Sequence, residues 1–387
     1  MPADITSTSI LPKMELELQE IKEVNTMTQH KKLKFAVVGC GRVSNNHLKA
    51  LTSGNINAEL IAVSDIDEKK AKSKSEEFGV PSYLDYHEMM TKHGEIDIVD
   101  IATPTGYHAR HVIDISRYGK HIVVEKPMAL RVSDCDEMIR SCTENNCRLF
   151  VVKQNRFNPA VVAARQALDA GRFGKLVMGT VRVRWMRQQS YYEQDNWHGT
   201  WELDGGVMSQ QASHHLDLLQ WFMGPIETMQ CIQATRLLDI EVEDTSLATF
   251  KFTSGALGAY EATVASRPED LEGSLSILGE KGSVIIGGRA VNEILYWKFK
   301  DEQPEDARMQ NTSSQEIPNV YGHGHAPYLA NVIDAILHDK PALVEAPEGK
   351  KNIEILTALY ESAALGGKYV KPGCSIRQSK LGSRTSP

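Results

Sequence analysis

Apolar and polar positions alternate in blocks between Lys34 and Lys153. Short apolar runs predict strands, and the amphipathic stretches between them predict helices that end near Thr52, Phe78, Tyr118 and Asn145. The predicted strands are Lys34–Val38, Glu59–Ser64, Ile96–Ile101, His121–Val124 and Arg148–Val152. Continuously apolar strands joined by helices are typical of a parallel sheet that is covered on both faces.

The pattern changes after Lys153. The next predicted elements are a helix over Pro159–Gly171, a strand over Lys175–Arg187, an aromatic, glycine-rich loop over Tyr191–Gly206 and a helix over Val207–Phe222. Strands then follow one another directly: Thr228–Thr235, Thr245–Phe252, Ala256–Ala265, Gly273–Leu278, Gly282–Ile286 and Ile294–Trp297. Helices over His325–His338 and Glu348–Leu365 close the chain. Successive strands without crossover helices predict an antiparallel or mixed open sheet.

The length of 387 residues and the two patterns indicate two domains, since single cores stop growing at about 250–300 residues. We predict an α/β chain: a doubly wound, Rossmann-type parallel sheet over residues 34–153, then an α+β domain on a mixed or antiparallel open sheet over 154–370. Residues 1–33 are expected to form a flexible extension, with a helix over Met14–Val24 against a partner subunit as the alternative. Residues 371–387 are expected to be a frayed, polar tail.

Composition and charge narrow the function classes. Hydrophobic residues make up 41% and charged residues 24%, as in an ordinary globular protein. A net charge of −7 argues against a nucleic-acid partner, and no apolar run approaches the roughly 20 residues of a membrane span. The six cysteines form no CxxC pair or zinc spacing, which predicts no metal site and fits a reducing cytoplasm.

A glycine motif follows the first predicted strand and opens a helix. Gly39 allows a tight turn, and Gly41 allows backbone N–H groups to approach a pyrophosphate closely. Arg42 and Val43, which follow in the same turn, are also predicted to contact the cofactor. Asp65 ends the second strand, where a carboxylate accepts from a ribose 2′-hydroxyl and repels a 2′-phosphate. The motif therefore predicts NAD as the cofactor. The alternative for Asp65 is a helix N-cap.

The carboxyl ends of the next strands carry polar residues. Thr103 and Pro104 follow the third main strand, and Glu125-Lys126-Pro127 follows the fourth. Open α/β sheets bind ligands at this edge, so a lysine there can face both cofactor and substrate. The predicted cofactor contacts also include His108, Glu125, Lys126 and Gln154. The alternative for Lys126 is an exposed strand end.

These motifs resemble the glucose–fructose oxidoreductase/inositol dehydrogenase (Gfo/Idh/MocA) family. The resemblance rests on Ala102-Thr103-Pro104, Glu125-Lys126-Pro127 and Asp204-Gly205-Gly206 with His214 and Asp217, and covers roughly Lys34 to Val370. It implies a Rossmann domain followed by an open sheet that often makes dimer or tetramer contacts. It also implies that Lys126 and His214 flank the reacting carbon, with His215 as the alternative by inspection. Gln210 stands where many members carry aspartate.

A closer resemblance is to the UDP-N-acetylglucosaminuronate 3-dehydrogenases of this family. It lies in residues 153–159, 182–185, 191–192, 197–201, 210–215 and 218–221. It implies NAD-dependent oxidation of a sugar C3 hydroxyl in making 2,3-diamino-uronic acids for surface polysaccharides such as lipopolysaccharide. In that reaction His214 is the expected base and Lys126 the donor to the same oxygen, although their roles could be exchanged.

An anionic sugar nucleotide also suits the residue chemistry. Arginine forks fit carboxylate and phosphate, and aromatic rings offer flat faces to a sugar or uracil. The predicted substrate contacts are Lys126, Asn155, Arg156, Arg184, Tyr191, Trp197, Gln210, Ser213 and His214. The alternatives are that Arg182 and Arg184 share one solvated strand face, and that the aromatic loop is a subunit contact.

Three other functions remain open. The same machinery could oxidise another sugar or a cyclitol. The chain could be a glycosidase that uses bound NAD for transient oxidation and elimination, or a non-catalytic NAD-binding regulator. The expected partners are a small-molecule substrate and further copies of the chain in a homo-oligomer, with no nucleic acid and no membrane.

Overall fold

A six-stranded parallel sheet forms the first layer of the computed structural model, which describes residues 32–317, 319–373 and 379–383. Its strands are β1 (Leu33–Val38), β2 (Ala58–Ser64), β3 (Ser82–Tyr83), β4 (Ile98–Ile101), β5 (His121–Val124) and β6 (Leu149–Val151), in the order β3-β2-β1-β4-β5-β6. The helices are α1 (Ser44–Thr52), α2 (Glu68–Phe78), α3 (Tyr86–Lys92), α4 (His108–Ser116) and α5 (Val132–Glu144). The strand order reverses direction between β1 and β4, which places a crevice at their carboxyl ends.

The predicted parallel sheet is confirmed, and the central strands are buried on both faces. All four residues of β4 are buried, as are five of the six in β1. The short strand β3 and helix α3 escaped the sequence analysis, because a two-residue strand carries no hydrophobic periodicity. The predicted extension and its possible helix over Met14–Val24 lie outside the described residues.

The second layer is a seven-stranded sheet in the order β13-β12-β11-β7-β10-β9-β8. Its strands are β7 (Leu176–Arg184), β8 (Ile226–Ala234), β9 (Thr245–Phe252), β10 (Leu257–Thr263), β11 (Glu272–Gly279), β12 (Gly282–Gly287) and β13 (Glu293–Phe299). Only the β7–β10 pair among these named strands is parallel. The predicted mixed open sheet is therefore confirmed.

The helices after β6 include some that pack on this sheet and some that reach back to the first domain. They are α6 (Pro159–Asp169), α7 (Gln189–Tyr192), α8 (Val207–Gln210), α9 (Ser213–Met223), α10 (Met309–Thr312), α11 (His325–Leu337) and α12 (Ala346–Ala364). Helix α9 packs on β7 and β11, α11 packs on α1, and α12 packs on both β8 and β6. The two sheets are thus held together by the last helices of the chain. None of the helices within the described ranges is both long and apolar enough to cross a bilayer.

Two expectations about elements were wrong. The helix predicted over Val207–Phe222 is two helices, α8 and α9, with a break at Gln211–Ala212. The tail is not frayed throughout, because Leu381 is only 3% exposed and Gly382 N donates to Trp201 O at 2.7 Å. Burial of Leu381 and the hydrogen bond of Gly382 hold this segment against the second domain.

Candidate active site

The glycine turn after β1 has the shape of a phosphate-binding loop. Gly39 has φ +98°, and a Cβ there would lie 2.6 Å from Ala102 O, so a side chain at this position would clash with the backbone that follows β4. A Cβ on Gly41 would meet nothing within 4 Å, which leaves the outer side of the turn open. Ser44 Oγ donates to Gly41 O at 2.7 Å and fixes the turn on α1. Backbone N–H groups at a helix start favour an anion.

Asp65 lies beside this turn at the end of β2. Its carboxylate accepts from Cys40 N at 2.7 Å and from Asp67 N at 2.8 Å. The N-cap of α2 is Asp67, which accepts from Lys69 N and Lys70 N, so the N-cap alternative does not apply to Asp65. A fixed carboxylate next to an open glycine turn fits the adenosine half of NAD. The residues Gly39, Gly41, Arg42, Val43 and Asp65 would hold that half.

The residues at the ends of β4 and β5 hold two loops together. His108 is fully buried, with Nδ1 2.9 Å from Pro127 O and Nε2 2.8 Å from Thr103 O. Burial lowers the pKa of His108. Thr103 Oγ1 lies 2.9 Å from His111 Nδ1, and Pro104 begins the turn into α4. These hydrogen bonds fix the two loops at the carboxyl ends of β4 and β5.

The side chain of Lys126, a residue of the first domain, reaches the second domain. Its Nζ donates to Gln210 O at 2.9 Å and to Gln210 Oε1 at 3.1 Å. Burial lowers the pKa of Lys126, while the carboxylates Glu125 and Asp204 oppose that shift. The Lys126 ammonium is therefore fixed in the crevice by Gln210, at the break between α8 and α9.

His214 lies on the first turn of α9 near Lys126. Its Nε2 is 3.2 Å from Gln154 Nε2, and its Nδ1 has no hydrogen-bond partner within the described part of the chain. Burial, then Lys126 and Lys153, hold the pKa of His214 well below its ordinary value, so the imidazole is neutral. A neutral imidazole next to a lysine can accept a proton.

His215 points elsewhere. Its ring packs edge-on against Trp185 at 5.7 Å between centroids, and burial lowers its pKa to about 3. The structure therefore brings His214, rather than His215, toward Lys126 and Gln154. Asn155 and Ser213 are buried in the same region, and the Ser213 hydroxyl has no partner among the described residues.

Lys153 and Asp217 were missed as residues of this site. Both are buried, and Lys153 Nζ lies 3.6 Å from Asp217 Oδ1. Asp217 is one turn beyond His214 on α9, and Lys153 directly precedes Gln154. The lysine adds a second positive charge near His214. Asp217 belongs to the motif that carries the family resemblance, whereas the sequence signal for Lys153 was its place directly before Gln154.

Two predicted substrate contacts require correction. Arg156 is buried, with Nε and Nη2 each 2.8 Å from Asp217 and Trp221 stacked at 4.7 Å, so its fork is already occupied. Arg184 lies on the sheet face opposite α9 and forms ion pairs with Glu261 and Glu272. Arg182 pairs with the same two carboxylates. The solvated-face alternative therefore describes Arg182 and Arg184, and neither lines the crevice.

The aromatic loop meets the glycine turn. The Arg42 guanidinium stacks over Tyr191 at 5.0 Å and donates to Gln194 Oε1 at 2.8 Å. Trp197 stacks on His198 with 3.7 Å between ring centroids. The loop therefore reaches the cofactor end of the crevice from the second domain, where its rings can contact a bound ligand.

A buried charge cluster under Lys126 also went unpredicted. His47 Nδ1 lies 2.6 Å from Asp100 Oδ2, and His47 Nε2 lies 2.8 Å from Glu125 Oε1. Although burial opposes it, the two carboxylates raise the pKa of His47 to about 10. His47, Glu125 and His325 are spaced closely enough to hold a metal ion, but both His47 nitrogens already bind carboxylates. The arrangement favours an ion-pair network that holds Glu125, and Glu125 Oε2 in turn accepts from Lys126 N at 3.0 Å.

Comparison with known proteins agrees with this geometry. Residues 33–153 match the oxidoreductase family described as an NAD-binding Rossmann fold (GFO_IDH_MocA), and residues 165–371 match its C-terminal alpha/beta domain. Among curated proteins, the scyllo-inositol 2-dehydrogenase (NAD(+)) of Bacillus subtilis is 28% identical over 341 residues, which cover 85% of this chain and 94% of that protein.

Two solved structures are more similar. The WlbA dehydrogenase of Bordetella pertussis in complex with NADH and UDP-GlcNAcA is 40% identical with a TM-score of 0.84, and the match covers 88% of this chain and 98% of that chain. The WlbA dehydrogenase from Chromobacterium violaceum, with the same two ligands, is 42% identical with a TM-score of 0.82 and coverage of 88% and 96%.

Proposed function

The chain belongs to the Gfo/Idh/MocA oxidoreductase family and is an NAD-dependent sugar oxidoreductase, and from this premise we propose that it oxidises the C3 hydroxyl of UDP-N-acetylglucosaminuronic acid to the 3-keto sugar. The observation that carries the proposal is the 40–42% identity, over nearly their full length, to two dehydrogenases that hold NADH and UDP-GlcNAcA. At this similarity the residues of a crevice are often shared, whereas the curated inositol dehydrogenase is more distant.

The crevice supplies the groups for removing a hydroxyl proton. His214 is neutral, because burial and two nearby lysines disfavour its protonated form, and its Nδ1 has no partner in the described chain. We assign it as general base. Lys126 Nζ is held by Gln210. In the proposed reaction it donates to the oxygen of the substrate hydroxyl and stabilises the negative charge that develops there. When bound, NAD supplies the hydride acceptor.

Charge around the base also favours an anionic sugar. Lys126 and Lys153 both lie near His214, and Asp217 is shared between Lys153 and Arg156. A substrate carboxylate or phosphate at this position would interact favourably with the two lysines. Tyr191 and Trp197, on the loop that meets Arg42, offer faces for a uracil or sugar ring.

The test is mass spectrometry of UDP-N-acetylglucosaminuronic acid after incubation with the protein and NAD, with an aminotransferase and glutamate added to trap the 3-keto product. We expect an amino sugar only when the protein is present. The matched control is the same mixture with scyllo-inositol in place of the nucleotide sugar. Turnover of the cyclitol without conversion of the UDP-sugar would reject the proposed substrate while retaining the oxidoreductase.

A further inference from the structure

We propose that Asp204 is a positioning residue for Lys126 and acts through the side chain of Gln210. The proposal rests on the proposed function only in taking Lys126 as part of the reacting site. Gln210 Nε2 donates to Asp204 Oδ1 at 2.5 Å, and Gln210 Oε1 accepts from Lys126 Nζ at 3.1 Å. An unbroken chain of hydrogen bonds thus joins a carboxylate of the second domain to the lysine of the first.

The chemistry of the chain fixes which way the amide points. An ionised carboxylate only accepts, and an ammonium only donates, so the amide between them must turn its NH₂ to Asp204 and its oxygen to Lys126. The second carboxylate oxygen of Asp204 accepts from Gly199 N at 2.6 Å. While its carboxylate is ionised, Asp204 therefore keeps Gln210 Oε1 directed at the Lys126 ammonium as a hydrogen-bond acceptor.

Backbone hydrogen bonds also hold the loop that carries Asp204, in addition to the bond from Gly199 N to its carboxylate. Asp204 O accepts from Ser209 Oγ at 3.0 Å, and Gly205 N donates to Thr200 O at 2.9 Å. These backbone contacts remain when the carboxylate is changed to an amide. The charge of Asp204, which is 1% exposed, is poorly screened by solvent and acts on Lys126.

Several titratable groups face Asp204 from the elements packed around it. They are Lys126, Asp195, Tyr191, Tyr192 and Glu243. Burial raises the pKa of Asp204 to about 7, against the donors Gly199 and Gln210 and the charge of Lys126. We expect wild-type kcat to fall as the pH drops below about 7, because protonation of Asp204 releases the amide from its fixed orientation.

Two variants separate positioning from structure. In D204N the introduced amide lets Gln210 rotate and turn its NH₂ toward Lys126, two donors face to face. In D204N/Q210E the carboxylate and the amide exchange places. One carboxylate oxygen at position 210 accepts from Lys126 Nζ, and the other accepts from the amide NH₂ at position 204. The amide oxygen at position 204 accepts from Gly199 N. The double variant keeps the net charge and every hydrogen bond of the wild type. D239N, which removes an exposed carboxylate elsewhere in the domain, is the control.

The readouts are kcat, KM and the pKa of Lys126, the last obtained by competitive acetylation across a pH series with mass spectrometry of the Lys126 peptide. For D204N we expect kcat to fall about tenfold with KM within about twofold, and the pKa of Lys126 to fall by about one unit. For D204N/Q210E we expect kcat to return to within about threefold and the pKa of Lys126 to reach or exceed that of the wild type.

Two results would overturn the proposal. One is a D204N protein whose kcat and Lys126 pKa equal those of the wild type. The other is a loss of kcat in D204N with an unmoved Lys126 pKa that the double variant does not restore. If D204N does not fold, Q210M removes the same acceptor, leaves Asp204 in place, and must reproduce the loss. The acetylation needs no substrate, so failure of the wild type to convert UDP-N-acetylglucosaminuronic acid would count against the proposed function alone.

Discussion

Lys126 is predicted to contact both the cofactor and the substrate, because it lies between the two domains. We predict that K126A lowers kcat by roughly 10²–10⁴-fold, because it removes the donor to the developing charge. NAD affinity should stay within about threefold, since the glycine turn and Asp65 are untouched. Steady-state kinetics and NAD titration by calorimetry measure the two quantities.

The matched control for that prediction is K120A. Lys120 lies six residues earlier, on the surface, and donates to Gly94 O. We expect K120A to keep wild-type kcat. A K126A protein with a near-normal rate would remove Lys126 from the proposed site.

The buried carboxyl of Glu243 is expected to make the free energy of unfolding depend on pH. Burial raises its pKa to about 7 from 4.5, and its Oε1 accepts from Met208 N and Tyr360 Oη. Because the folded protein binds this proton more tightly, stability from Glu243 is full below pH 4.5 and is lost as the pH rises through about 7.

We predict that E243Q reduces this loss. Between pH 4.5 and 8 the wild type should lose roughly 1–3 kcal/mol more unfolding free energy than E243Q. Urea unfolding at four pH values gives both curves. Parallel curves for the two proteins would show that Glu243 stays ionised in the folded state.

At this scale the sequence predicts residue chemistry better than residue contacts. The motifs place Lys126, His214, Gln210 and Gln154 together, as the structure does. Arg156 and Arg184 carry the charge expected of anion-binding residues, but Asp217, Glu261 and Glu272 already bind them. Those partners are 61, 77 and 88 positions away, and local spacing contains no information about them.

At the scale of elements, periodicity located the long strands and helices to within a few residues. It failed where tertiary contacts decide. The break between α8 and α9 lies in a stretch without proline or glycine that reads as one helix, yet Gln211 and Ala212 leave the helix where Lys126 Nζ donates to Gln210 O. The breaker is an interaction with the other domain rather than a proline or glycine.

The docked tail is an element whose contribution can be measured. Leu381 packs against the turn of the Asp204-Gly205-Gly206 motif, where a Cβ on Gly205 would lie 2.8 Å from Leu381 Cδ1. We predict that L381D releases the segment, because it places a charge in a buried site. The kcat should fall about three- to tenfold as the loop that carries Asp204 loosens.

Limited proteolysis between Pro372 and Pro387, together with kcat, checks this prediction. K380A changes the exposed neighbouring side chain and is expected to behave as the wild type. Faster cleavage of L381D with an unchanged kcat would show that the tail docks without supporting the site.

At the scale of the whole molecule, the face of the second sheet that none of the described helices covers stands out. Ile232 and Leu247 are directly paired across β8 and β9 and are 59% and 48% exposed. The ion pairs of Arg182 and Arg184 lie across the centre of the same sheet. Two exposed apolar side chains next to a row of ion-paired residues form a surface that is suited to contact with a second copy of the chain.

We therefore predict that I232D/L247D shifts the protein to a smaller assembly. Sedimentation velocity at micromolar concentrations gives the masses, and L295D, on the edge strand β13, serves as a comparison. Identical masses for the wild type and I232D/L247D would exclude this face as the main subunit contact.

The parallel pairing of β7 with β10 sets an order of events during synthesis. Strand β7 leaves the ribosome first among its sheet, but its two neighbours are β10 and β11, which begin at Leu257 and Glu272. At roughly 5–20 residues per second, the 72 residues from 185 to 256 take about 4–14 s to make. During that interval both edges of β7 lack their partners, so nascent chains are most exposed to misassociation at the strand that later becomes the centre of the sheet.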